Sequence, residues 1–268
     1  MKTSEFDPAV AESIEAEVWY QIAVGTPEAA ARALGVEAAR IGGGVVTSMR
    51  NDVTNFWSKA LGFGITEPIT TDLIGDVIDF YRAHGDSRAG IQIAPSMLPA
   101  GWDDIVAEHG LRPGGGIIKH VGAVEALQLG SSDLRVAQVG AADADQWARV
   151  MMTAFGMPLP GLAEMTAAIA TNPAFSGFAA WDDQRIVATG SLLTMGNAGS
   201  LHAGATLIED RGRGAQSALI AARVQAAAAA GCQWVVAETA EDGPSMKNLR
   251  RAGFQPLYFR SGWVWQNT

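Results

Sequence analysis

Cysteine is almost missing from this chain, with one residue, Cys232, among 268. A disulfide within the chain is therefore impossible, and so is a metal site built from several thiolates. Cys232 stands in an apolar run and reads as a buried thiol. The histidines His84, His109, His120 and His202 are scattered, and none forms the His-x-x-x-His pair that one helix face uses to hold zinc. No metal is expected. There is no apolar run of about 18 residues, and the opening Met-Lys-Thr-Ser-Glu-Phe-Asp does not read as a secretion signal. Basic patches are also lacking, with a net charge of −9. Nucleic acid is a poor partner for such a surface, and the expectation is a soluble, cytoplasmic protein with neither membrane nor nucleic acid as partner.

What the chain does have is apolar mass and a lopsided charge. Hydrophobic residues make up 48% of it, ample for a core. Residues 1–133 carry 9 Lys+Arg against 18 Asp+Glu, whereas residues 134–268 carry 10 of each. The acidic excess lies entirely in the first half. It reads as a solvated, solubilising surface, or as one that gathers cationic substrates.

The most informative stretch is Thr206 to Ile220. An apolar strand leads into Arg211-Gly212-Arg213-Gly214-Ala215-Gln216, and an alanine-rich helix follows to about Ala230. The first turn of a helix has N–H groups without partners and a partial positive charge, so it suits a phosphate. Glycine lets the anion approach the backbone, and arginine adds a permanent charge. There is no Gly-Lys-Ser/Thr of a Walker loop and no Rossmann fingerprint.

The spacing Arg211-x-x-Gly214-x-Gln216 resembles the acetyl-CoA loop of the GCN5-related N-acetyltransferases (GNAT), with Gln216 in place of the family's final Gly or Ala. Downstream, an apolar strand (Gly231–Thr239), a short helix ending in Arg251-Ala252-Gly253-Phe254, and a strand from Gln255 to about Trp265 resemble the closing half of that domain. Upstream, strands are expected at Leu134–Val139, Phe175–Trp181, Gln184–Leu193 and Ala198–Ile208. Helices are expected at Ala142–Ala154 and Leu162–Ala170. The resemblance implies a mixed, mostly antiparallel α/β sheet flanked by helices over 134–268.

Residues 1–130 also read as α/β, either a degenerate second GNAT-like domain in tandem or a substrate-binding or packing domain. Helices are expected at Pro8–Tyr20, Pro27–Ala39 and Thr70–His84, and strands at Ile91–Ala94 and Gly115–Lys119. Asn55 to Phe63 is similar to the family's short helix with its Gly-Phe ending, but no Arg-x-x-Gly-x-Gly loop occurs before residue 133. One acetyl-CoA per chain is expected.

The resemblance implies transfer of acetyl from acetyl-CoA to a primary amine of a small molecule, with a cationic, aminoglycoside-like acceptor suiting the acidic half. The loop residues Arg211, Gly212, Arg213, Gly214, Ala215 and Gln216 would bind the cofactor. Thr206 or Leu207 would offer a backbone N–H to the thioester oxygen, and Ser245 and Asn248 would lie near the cofactor arm, unless Asn248 caps its helix. The Gln216 side chain would either crowd the pyrophosphate or hydrogen-bond to it. Glu238 is the first candidate base, with pairing to Arg250 or Arg251 as the alternative, and His202 is the second. The family's tyrosine acid falls on Leu249, a departure. Tyr258 is a substitute acid or simply a strand tyrosine, and solvent protonation is open. A catalytically weak acyl-CoA-binding or regulatory module is the alternative function.

Overall fold

The computed structural model describes residues 6–267 and divides the chain into two compact units. One comprises residues 7–118 with the stretch from Tyr258 onward; the other comprises 119–257 with Phe6.

In the first unit, helix α1 (Pro8–Val24) starts where the Asp7 carboxylate accepts from the Ala9 N–H at 2.9 Å, with proline at the first helical position. Helix α2 (Glu28–Leu34) is shorter than the expected Pro27–Ala39. It stops at Gly35, whose φ of +69° turns the chain out of the helix, and residues Val36–Ile41 become strand β1. A glycine turn at 42–43 joins β1 to β2 (Gly44–Met49), which pairs with β3 (Lys59–Leu61). The helix-like reading of Asn55–Phe63 fails. The Asp52 carboxylate accepts from the backbone N–H groups of Thr54, Phe56 and Trp57 and folds that segment as a turn. Helix α3 (Thr71–His84) is capped by Thr70, whose hydroxyl accepts from the Leu73 N–H. Strand β4 (Arg88–Gln92), helix α4 (Trp102–Glu108) and the short β5 (Arg112–Pro113) follow.

The sheet runs β1-β2-β3-β4, then a strand from the end of the chain (Gly262–Gln266), then β5. Only β3 and β4 are parallel. Helix α3 lays Ile74, Val77, Ile78 and Tyr81 over Val46 and Ile91 to form the core.

The second unit contains β6 (Ile117–Ala123), β7 (Arg135–Gln138), α5 (Ala144–Phe155), α6 (Leu162–Thr171), β8 (Phe175–Asp182), β9 (Arg185–Met195), β10 (Ala198–Thr206), α7 (Ala215–Ala229), β11 (Trp234–Thr239), α8 (Pro244–Arg251) and β12 (Gln255–Arg260). Its sheet order is β12-β6-β11-β10-β9-β8-β7. The expected final strand is two strands: β12 belongs to this sheet, and β13, the Gly262–Gln266 strand, to the other. In return β6, from the first half of the sequence, stands between β11 and β12. Leu219, Ile220 and Val224 of α7 and Leu249 of α8 pack on Val235 and Ala237, so alternation turns Val236 and Glu238 to the opposite face.

The division falls inside β12, so its residues Tyr258 and Arg260 belong to the first unit. Fully buried, Arg260 donates to Glu12 at 2.7 Å, to Glu15 at 2.6 Å and to Gln92 at 2.7 Å. The substitution Arg260→Met removes the guanidinium that faces two buried carboxylates. It should destabilise the protein by about 3–5 kcal/mol in urea unfolding, the range for breaking a buried ion pair from one side. Adding Glu12→Gln and Glu15→Gln to that variant should recover part of the loss.

Candidate functional site

The site begins where a strand ladder ends. Strands β10 and β11 are parallel neighbours over only three positions, Ala198 to Ser200 against Trp234 to Val236. Beyond Ser200 and Val236 the two strands pair no further, and the sheet opens. On its other side, β10 carries a bulge against β9. His202 stands opposite Ser191 and Ala205 opposite Thr189, so β10 contains one extra residue. Ala203, inside the bulge, takes a φ of +55°.

Past β10, a short helical turn (Ile208–Asp210) leads into the loop that starts α7. Gly214 caps this helix with a φ of +77°, and among the described residues no side-chain cap bond closes its first turn. The opening N–H groups of α7 are thus offered rather than capped. A Cβ on Gly214 would stand 3.0 Å from the Ser131 carbonyl oxygen, and Ser132 Oγ donates to the Arg213 carbonyl at 2.7 Å. The segment at 131–132 therefore braces the loop from one side. The glycine makes room for this backbone as well as for an anion.

The two loop arginines are not equivalent. Arg213 donates to both oxygens of Asp182 (2.9 and 3.1 Å) and to Asp210 at 3.1 Å, while Arg185 holds Asp210 with two bonds of 2.8 and 2.9 Å. The Arg213 hydrogen bonds hold the Asp182 carboxyl below its ordinary value. Arg213 is a brace for the loop, whereas the exposed Arg211 makes no ion pair among the described residues and is the cation available to a ligand. Gln216 does not reach over the loop. Its amide folds back and donates to the Ala205 carbonyl at 2.8 Å and to Thr206 Oγ1 at 3.0 Å. The Leu207 N–H, one expected oxyanion donor, already donates to the Val187 carbonyl at 3.1 Å. Leu207 is therefore corrected from donor to strand partner.

At the end of β11, Glu238 is one-sixth exposed and accepts from the fully buried Lys119 at 3.0 Å. Lys119, from β6, is thus a partner the sequence did not suggest. The next residue pair faces the other way, with His120 Nε2 and Thr239 Oγ1 2.9 Å apart. Sequence reasoning overlooked Lys119 and His120. Their signal was a charged residue and an imidazole side by side in a short apolar strand.

His202 lies edge-on to Phe175 with its Nε2 buried and unbonded in the described structure, a structural placement rather than that of a base facing a cleft. Tyr258 donates to Glu12 at 2.6 Å inside the other unit, and burial among those carboxylates pushes its phenol up. Its role as acid is corrected to that of a member of the Arg260 cluster. Ser245 is exposed on α8, Asn248 accepts from Arg251 at 3.1 Å, and Gly243 stands at the helix N-cap, so Asn248 does not cap. Leu249, at the expected tyrosine position, is buried in the core.

Two outcomes follow from this geometry. In Gly214→Val a branched side chain meets the Ser131 carbonyl in a conformation it resists, so if the loop holds CoA, as the sequence resemblance implies, calorimetry should show that affinity falling by more than about tenfold. Arg211→Ala should cost about 1–3 kcal/mol of that affinity. Burial also lowers the imidazole of His120 to about 4 and that of His202 to about 3, from 6.5. Both are neutral when folded and take up a proton on unfolding below pH 6.5. Their stabilising contribution is complete above that pH and is lost as pH falls towards 4 and 3, with a slope of up to about 1.4 kcal/mol per pH unit for each. His202→Asn should flatten the acid limb of the unfolding free energy.

No known family's sequence model matches the chain, and no curated protein sequence does. Solved structures do match it in shape. A GCN5-related N-acetyltransferase from Kribbella flavida superposes with a TM-score of 0.68 at 14% identity, over 96% of each chain. One from Sphaerobacter thermophilus gives 0.57 at 17% identity, over 97% of this chain and 94% of the other. A tandem GNAT protein from the clavulanic acid biosynthesis pathway, without acetyl-CoA, gives 0.58 at 15% identity, over 83% of this chain and 78% of the other. The mixed α/β architecture, with its two sheets flanked by helices, is a tandem GNAT-like fold.

Proposed function

We propose that the protein is an acetyl-CoA-dependent N-acetyltransferase that modifies a primary amine of a small molecule. One observation carries this: the uncapped start of α7, behind Gly214, adjoins the strand pair β10–β11 that parts after three residues. The backbone N–H groups of the loop and first turn would hold the CoA pyrophosphate, with Arg211 adding charge. The thioester would lie in the opening between the strands. The amine nitrogen attacks the thioester carbonyl carbon, the C–N bond forms, the C–S bond breaks, and the amine proton leaves.

An alkylammonium has a pKa of about 10.4, so a proton must first be removed. Glu238 is the acceptor in this account, directly or through water. A proton placed there would remove the counter-charge facing Lys119, so it must pass on quickly. No phenol stands at the Leu249 position, and the thiolate takes its proton from solvent or from the displaced amine proton. A cationic acceptor suits the acidic first half of the sequence.

The second reading is an acyl-CoA-binding module with little turnover, favoured by the apolar Leu249 and by the Lys119–Glu238 pairing. CoA release from acetyl-CoA with a panel of amines, followed by the mass of the product, separates the two. An acetylated amine is expected; CoA binding without release by any amine would favour the module. Under the first reading Glu238→Gln should lower kcat by about 100-fold, within the range of general-base catalysis. Acetyl-CoA affinity should stay near wild type. Wild-type kcat with an unchanged pH profile would make Glu238 structural.

A further inference from the structure

A buried cation beneath the β10 bulge has no carboxylate partner among the described residues. Arg223, in the middle of α7, is almost wholly buried, and burial lowers its guanidinium to about 10. Its hydrogen bonds all go to backbone carbonyls: Nε to Leu219 at 3.0 Å, Nη1 to His202 at 3.2 Å and to Ser191 at 3.4 Å. The strands are shaped to admit it, because a Cβ on Gly190 would come within 2.7 Å of the guanidinium carbon. An arginine in an otherwise alanine-rich helix is costly unless it satisfies something.

What it satisfies is the bulge. An extra residue bends a strand and loosens its ladder, so side-chain donors on the flanking carbonyls can fix its course. Here the His202 carbonyl takes Arg223, the Ala203 carbonyl takes Thr189 Oγ1 at 3.3 Å, and the Ala205 carbonyl takes Gln216 at 2.8 Å. Gln216 and Arg223 are seven residues apart, two helical turns, and so share one face of α7. The departure at Gln216 from the loop pattern thereby acquires a use: its amide clamps one flank of the bulge while Arg223 clamps the other.

We propose that Arg223 and Gln216 are positioning residues that fix the bulged backbone of Ala203–Thr206 where a thioester carbonyl is received. This rests on the acetyltransferase reading above. The same helix that offers its N-terminus to the pyrophosphate would then set, through two side chains, the geometry at the reacting end.

The test uses the full chain with Arg223→Met, Arg223→Lys and Gln216→Ala. Amide hydrogen exchange without ligand should quicken at Ala203, Gly204 and Ala205 in Arg223→Met and Gln216→Ala, with the later turns of α7 still protected. Release of CoA from acetyl-CoA should fall at least about tenfold in kcat for Arg223→Met. CoA affinity by calorimetry should stay within about threefold, and Arg223→Lys, which keeps a donor, should recover part of kcat. Unchanged exchange at the bulge, or unchanged kcat in a folded Arg223→Met, would overturn the proposal. Should Arg223→Met not fold, Gln216→Ala decides by the same two readouts. A wild-type protein that binds no CoA would remove the acetyltransferase reading, while the exchange measurement would still judge the clamp.

Discussion

The site depends on one constraint, the early end of the parallel ladder between β10 and β11. Two strands that stayed paired would present a closed sheet with no place for a ligand. Here pairing stops after Ser200 and Val236, and at the bulge across β10 the His202, Ala203 and Ala205 carbonyls accept from the side chains of Arg223, Thr189 and Gln216. The price is a guanidinium buried away from carboxylates, offset by three backbone acceptors.

The two units answer the same question of a helix start in opposite ways. In the first, α3 follows a strand that is parallel to β4, but the Thr70 hydroxyl occupies the Leu73 N–H. In the second, Gly214 stands at that position with no side chain to offer. A hydroxyl closes one helix start and a missing side chain leaves the other open to an anion. That difference of one residue type separates the two helix starts as anion sites.

The sequence made the second half legible because its elements are long and punctuated by glycine. The expected strand Phe175–Trp181 is Phe175–Asp182, and the signature helix ends within a residue or two of its expected bounds. The first half was harder. Alanines up to Ala39 read as helix, yet Gly35 ends it and Val36–Ile41 pair with β2, a partnership no local pattern reveals. The exchange of β6 and β13 between sheets was equally hidden, since a strand's sequence does not name its neighbour. At the site, Gly214 and Arg211 stood out by spacing. The bracing of Arg213 by Asp182, the folding back of Gln216 and the Lys119–Glu238 pair join residues 31, 11 and 119 positions apart, and only the tertiary structure brings them together.

The central claim is that the start of α7 is where the chain meets a nucleotide phosphate. Amide chemical shifts followed while CoA is added to the whole protein test it most directly. The account predicts the largest shifts at Gly212 to Ser217, with smaller ones along β10 and at the end of β11, and none at Leu73 at the start of α3. Shifts centred on α3, or absent from the Gly212–Ser217 amides at saturating CoA, would contradict it.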